Sequence, residues 1–124
     1  MNILGDIGNS EIKIFLVNSN NKIIKQISFP SKKINNKILL SKFRLLSTDF
    51  KKIEKILFCS VVPKSFDLVK KFLSKKIKKK CFEVKMLKLR SLINIKVNYK
   101  QVGSDILTNA ISALNNKDNF IIID

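Results

Sequence analysis

Over its first thirty residues the chain alternates apolar and polar side chains with the two-residue period of a β-strand, broken twice by turn residues. "NILGD" leads into "IGNS", "EIKIFLV" follows, "NSNN" interrupts again, and "KIIKQISF" resumes the pattern before Pro30. Consecutive strands joined by such short turns make an antiparallel meander. The period then changes. A helix is predicted over "NKILLSKFRLL", with Ile38, Leu39, Phe43, Leu45 and Leu46 on its apolar face. "KILFCSVV" is almost continuously apolar, which marks a central strand covered on both sides. Pro63 suits the first turn of a second helix, and "KSFDLVKKFLSKKI" carries Phe66, Val69, Phe72 and Leu73 at helical spacing. "CFEVKML" reads as a short strand and "KLRSLINIKVNYKQ" as loop with some extended structure. "GSDILTNAISALNN" reads as a third helix capped by Gly103 or Ser104, with Ile106, Leu107, Ala110, Ile111 and Leu114 on one side. "NFIIID" is a buried strand that ends at Asp124.

The predicted order is therefore β-β-β-α-β-α-β-α-β, an α/β chain with a mixed sheet and helices on its faces. This order resembles the ribonuclease H-like core. That core serves actin-like kinases and metal-dependent nucleases alike, so it leaves the chemistry open.

Composition narrows the classes. At 124 residues with 45% apolar content, the chain has enough material for one domain with its own core. No apolar run approaches the roughly 18 residues of a membrane span, and Asp6 and Glu11 interrupt the N-terminal apolar stretch, so neither a membrane segment nor a signal peptide is expected. Histidine is absent, and Cys59 and Cys81 match no C-x-x-C pattern, so no zinc site and no histidine base are expected. Cys59 lies in an apolar run and is read as a small buried residue of a cytoplasmic protein. The net charge of +16 comes from 23 lysines and only two arginines, Arg44 and Arg90. Lysine, asparagine and isoleucine share A/T-rich codons, so the charge is expected without a specific nucleic-acid partner, although an anionic substrate would profit from it. The run "KKIKKK" fits a solvated helix end, where cations complement the dipole.

Three acids stand where strand ends meet helix starts: Asp6, Asp105 and Asp124. Each has a plain structural reading, as a turn residue, a helix-start residue and the last residue of the chain. "DIGNS" is likewise either a hairpin turn, in which glycine supplies unusual backbone angles, or a phosphate site.

With their neighbours, these residues resemble the type III pantothenate kinases. "DIGNSEIK" is similar to the family's first phosphate motif, D-x-G-N-[ST]-x-x-K, and "FCSVVP" to its S-S-V-V-P segment. "QVGSDILTNAISAL" is similar to V-G-A-D-R-x-x-N-A, and "FIIID" to the strand that enters the second phosphate motif, D-F-G-T. The resemblance implies an actin-like fold of two domains, of which residues 1–124 make the N-terminal one and the second is absent. It implies ATP-dependent phosphorylation of pantothenate, the first step of coenzyme A synthesis, with a magnesium-bound nucleotide, a monovalent cation (potassium or ammonium) and a homodimeric complete enzyme. Asp6, Ile7, Gly8, Asn9, Ser10, Glu11, Ile12 and Lys13 would form the nucleotide-phosphate loop, though Lys13 reads equally well as a solvent-facing strand lysine. Gly103, Ser104, Asp105 and Ile106 would lie on pantothenate, with Asp105 as the base, and Asp124 would ligate the cation. The chain departs from the pattern at Ile106, where the family's arginine would meet the pantothenate carboxylate, and in lacking a clean counterpart to an upstream tyrosine. Two other readings stand beside this one: a ribonuclease H-like nuclease holding divalent ions on the three acids, and a non-catalytic partner related to the Bvg accessory factor.

Overall fold

The computed structural model describes residues 1–46, 49–114 and 121. The predicted meander forms as β1 (Asn2–Ile7), β2 (Glu11–Val17) and β3 (Ile23–Pro30), each antiparallel to the next. There follow α1 (Asn36–Leu45), β4 (Lys55–Ser60), α2 (Pro63–Ile77), β5 (Cys81–Glu83) and α3 (Ser104–Ser112). The sheet runs β3-β2-β1-β4-β5, with β4 parallel to β1 and β5 parallel to β4. This is the mixed sheet of the ribonuclease H-like, actin-like class. The strand expected over "NFIIID" lies outside the described residues except for Ile121.

Alternation along the strands gives the sheet two unlike faces. One face presents Ile3 and Ile7 of β1, Ile12 and Ile14 of β2, Phe29 of β3, and Ile56 and Phe58 of β4, all buried. α1 covers it with Leu39 and Phe43, and α2 with Phe66, Val69, Phe72 and Leu73. The Phe43 and Phe72 rings meet between the two helices, their centroids 5.3 Å apart. The other face is covered only in part, where Leu57 and Cys59 of β4 pack against Val84, Leu89 and Leu107. β4 is thus covered on both sides, as its apolar run predicts.

Gly5 stands opposite Phe58 across the β1–β4 ladder. A Cβ there would sit inside the Phe58 ring, so the largest fully buried side chain fits only because its neighbour has none. Asn35 starts α1 by accepting the Ile38 amide at 2.9 Å on its side-chain oxygen. α2 begins at Pro63 and ends with Lys75 and Lys76 in its last turn, as the lysine run implies. Its cap, Lys78, takes the left-handed conformation (φ 57°) that a glycine would adopt at less cost.

Several expectations need correction. β5 stops at Glu83 because the Glu83 carboxylate accepts the Lys85 amide at 2.8 Å, bending the chain into a 3-10 turn. Residues 88–101 are loop, as expected, but carry 3-10 turns at Leu89–Ser91 and Tyr99–Gln101 in place of the extended part. On α1, Leu45 points outward at 53% exposure while Leu39 and Phe43 are buried. On α3, Leu107 is buried, whereas Ile106 faces out, as does Leu114 just past the end of the helix. The apolar stripes of α1 and α3 are narrower than their hydrophobic residues imply, while that of α2 is buried as expected.

Two substitutions should shift stability in opposite directions in urea titrations. Gly5→Ala forces the Phe58 ring from its place and should destabilise by about 1–3 kcal/mol. Lys78→Gly relieves the left-handed cap and should stabilise by about 1 kcal/mol.

Candidate functional site

Strand register assembles the site. Asp6 pairs with Cys59 across the parallel β1–β4 ladder and with Lys13 across the antiparallel β1–β2 ladder. These three residues therefore share one row on the partly covered face. α3 crosses that face, anchored by Leu107, and brings Asp105, Thr108 and Asn109 opposite the row. A cavity of about 370 Å³ lies between them, lined by Asp6, Phe15, Cys59, Asp105, Thr108 and Asn109. Asp6 and Asp105, 99 residues apart in sequence, thus face the same space.

The turn after β1 is held from outside itself. The Gly8 amide donates to the Glu11 carbonyl at 3.0 Å. Ser31, buried just past the end of β3, donates its hydroxyl to the Gly8 carbonyl at 2.6 Å and its amide to the Ser10 carbonyl at 2.9 Å. With these carbonyls tied back, the exposed Asn9 and Ser10 form the tip of the turn. Gly8 has no positive φ, so unusual backbone angles are not its role. A Cβ at Gly8 would instead press on the Glu11 carbonyl at 3.3 Å, and glycine serves there by being small.

At the start of α3, Gly103 caps the helix in an extended conformation with no side-chain cap. The Asp105 carboxylate folds back to accept the Ile106 amide at 2.9 Å, and it occupies the volume that a side chain at 103 would need. A side chain at 103 would thus have to displace the Asp105 carboxylate. Ser104 is buried, and its hydroxyl is hydrogen-bonded to the Ser60 carbonyl at 2.9 Å and to the Glu83 carboxylate. Those bonds pin the helix start to the ends of β4 and β5.

The predicted site residues separate into groups. Asp6 and Asp105 come together, with Lys13 beside Asp6 in the sheet. Lys13 is about half exposed, 3.6 Å from the Glu11 carboxylate. Ile7 and Ile12 are completely buried in the core, so only their backbones are available to a ligand. Gly103 and Ser104 line a second cavity of about 380 Å³ next to the first. Ile106 is 51% exposed and lines neither cavity. Asp124 lies outside the described residues. Among the described residues, no three His, Cys, Asp or Glu side chains gather into a metal-binding group.

Sequence reading missed Ser31, Thr108 and the true position of Cys59. Cys59 is half-buried and lines the cavity between the two acids. Burial raises its thiol from the usual 9.0 to about 11, with the Asp6, Asp105 and Glu83 carboxylates adding to the rise and a hydrogen bond with Thr108 opposing it. No local signal marks Ser31, whose partner is 23 residues away.

Comparison with known proteins identifies the family of the chain. The type III pantothenate kinase family matches residues 2–124. A type III pantothenate kinase of Pelagibacter ubique is 59% identical over all of this chain and 50% of its own length. One from Ehrlichia canis is 35% identical over 94% of this chain and 47% of its own. The chain spans about half the length of these curated relatives. Among solved structures, a protein from Sinorhizobium meliloti titled as a 2-dehydro-3-deoxygalactonokinase aligns over 49% of this chain and 21% of its own, at TM-score 0.40 and 12% identity. That likeness is too loose to add to the argument.

The thiols give a pH prediction. Burial also raises Cys81 to about 11. At pH 7.5 both cysteines should react with iodoacetamide far more slowly in the folded chain than in urea, which thiol counting by mass spectrometry would read. Both hold their protons in the fold up to about pH 11 but ionise near 9.0 when unfolded. Their contribution to stability is therefore complete below pH 9.0 and declines as pH rises from there to about 11.

Proposed function

Because this chain belongs to the type III pantothenate kinase family, we propose that it forms the N-terminal half of an enzyme that phosphorylates pantothenate with ATP. The observation that carries this reading is the shared cavity, in which the acid of the early turn and the acid of α3 face each other. The nucleotide phosphates would lie against the turn from Asp6 to Lys13. Asn9 and Ser10 at its tip would offer backbone and side-chain donors, and Lys13 would supply positive charge.

Phosphoryl transfer passes through a loose transition state, so positioning and charge neutralisation supply most of the rate. Asp105 would orient the primary hydroxyl of pantothenate and accept its proton late in the transfer. Its own position is fixed by the Ile106 amide and by the empty space above Gly103. Magnesium keeps most of its waters and needs only one or two carboxylates beside the nucleotide phosphates, which fits Asp6 at the start of the turn and leaves Asp105 free as the base. When bound, it would draw charge from the transferring phosphoryl group. A second domain would close over the nucleotide, Asp124 would ligate potassium or ammonium, and the complete enzyme would be a cytoplasmic homodimer. The described residues contain no helix long and apolar enough to cross a membrane.

The test joins this chain to the C-terminal half of the Pelagibacter ubique relative and measures pantothenate-dependent ADP release. The joined protein should turn over and the 124-residue chain alone should not. Asp105→Asn should lower kcat by about 10²–10⁴-fold, and Asp6→Asn should raise the KM for ATP. Unchanged turnover in Asp105→Asn, or magnesium-dependent nicking of RNA or DNA in place of ADP release, would overturn the reading.

A further inference from the structure

We propose that Lys85 is the residue that holds the carboxylate of the acid substrate, in the cavity adjoining the one shared by Asp6 and Asp105. The proposal rests on the pantothenate kinase reading and addresses how this chain recognises the far end of its substrate without a cation at position 106. The two cavities lie on either side of the end of β4 and the start of α3. Cys59 and Asp105 line the first, while Ser60 and Ser104, the next residue of β4 and the preceding residue of α3, line the second. A substrate with its alcohol at Asp105 that passes over the start of α3, by Ser104 and Gly103, enters the second cavity, of about 380 Å³.

That cavity suits an acid with an apolar body. Pro63 and Phe66 from the start of α2, with Met86 and Val102, give it an apolar wall. Among the described residues that line it, Lys85 alone carries a positive charge. The backbone of Lys85 is fixed at both ends: its amide donates to the Glu83 carboxylate at 2.8 Å, and its carbonyl accepts the Tyr99 hydroxyl at 3.3 Å. The ammonium makes one long contact of 3.4 Å to the Lys100 carbonyl, and no carboxylate among the described residues lies within ion-pair distance of it. Glu83 is the acid in the lining, and both of its oxygens are engaged, by the Ser104 hydroxyl and the Lys85 amide. A partly buried, anchored lysine whose charge lacks a carboxylate partner is a ready receptor for one. Ile106, half-exposed and outside both cavities, has no part in this contact.

The experiment measures binding of pantothenate and of panthenol, in which an alcohol replaces the carboxylate, to the 124-residue chain by ligand-observed NMR. The chain should bind pantothenate about tenfold or more tighter than panthenol, the usual range for a hydrogen bond to a charged group. Lys85→Met should bring the two affinities within about twofold of each other, and Lys85→Arg should keep the preference, with thermal melts of both variants showing that each folds. A preference for pantothenate that survives in Lys85→Met, or equal binding of the two ligands by the unmodified chain, overturns the role of Lys85 and leaves the kinase reading in place. Binding of neither ligand by the joined protein of the turnover assay overturns the kinase reading itself.

Discussion

β1 is hydrogen-bonded on both edges, antiparallel to β2 and parallel to β4, and this double pairing places every other part of the site. Strand parity makes the constraint strict: a slip of one residue in either ladder would send Asp6 into the core and Ile7 out to the ligand face. The register is held by what lies behind it. Ile3 and Ile7 of β1 are fully buried beside Phe58, and Gly5 between them leaves room for the Phe58 ring. Packing on one face therefore fixes the chemistry presented on the other.

Around that frame the site is supported by small polar residues at chain ends. Ser31 ties back the carbonyls of the first turn from the far end of β3. Ser104 fastens the start of α3 to the ends of β4 and β5, and Gly103 makes room for the Asp105 carboxylate. Each removes freedom from a neighbouring group, and pre-organisation of this kind is what the proposed phosphoryl transfer would ask of a protein.

Much of this was legible in the sequence. The change from a two-residue to a helical period located all three helices, and the apolar run "KILFCSVV" identified β4 as an interior strand covered on both faces, although β1 is the middle strand of the sheet. The pairing of Asp6 with Asp105 was readable only through the order of motifs, since no local pattern brings residues 99 positions apart into one cavity. What escaped was set by tertiary contact. Cys59 looks like a core residue in an apolar run, but parity puts it beside Asp6 on the ligand face. The end of β5 depends on one side-chain-to-backbone bond from Glu83, and the outward turn of Leu45 and Ile106 on where each helix meets the sheet. Ser31 and Lys85 carry no motif, because their importance lies wholly in what the fold sets next to them.

The account depends on the first turn and the start of α3 bordering one cavity, so that both lie within paramagnetic reach of a single bound nucleotide. Manganese-bound ATP, titrated into the isotopically labelled chain, tests this directly by paramagnetic broadening of nearby amides. The account predicts that the amides of Gly8, Asn9 and Ser10 and those of Ser104, Asp105 and Ile106 broaden together, at the same nucleotide concentration. Broadening confined to one of the two segments, or spread evenly over the lysine-rich surface, would contradict it.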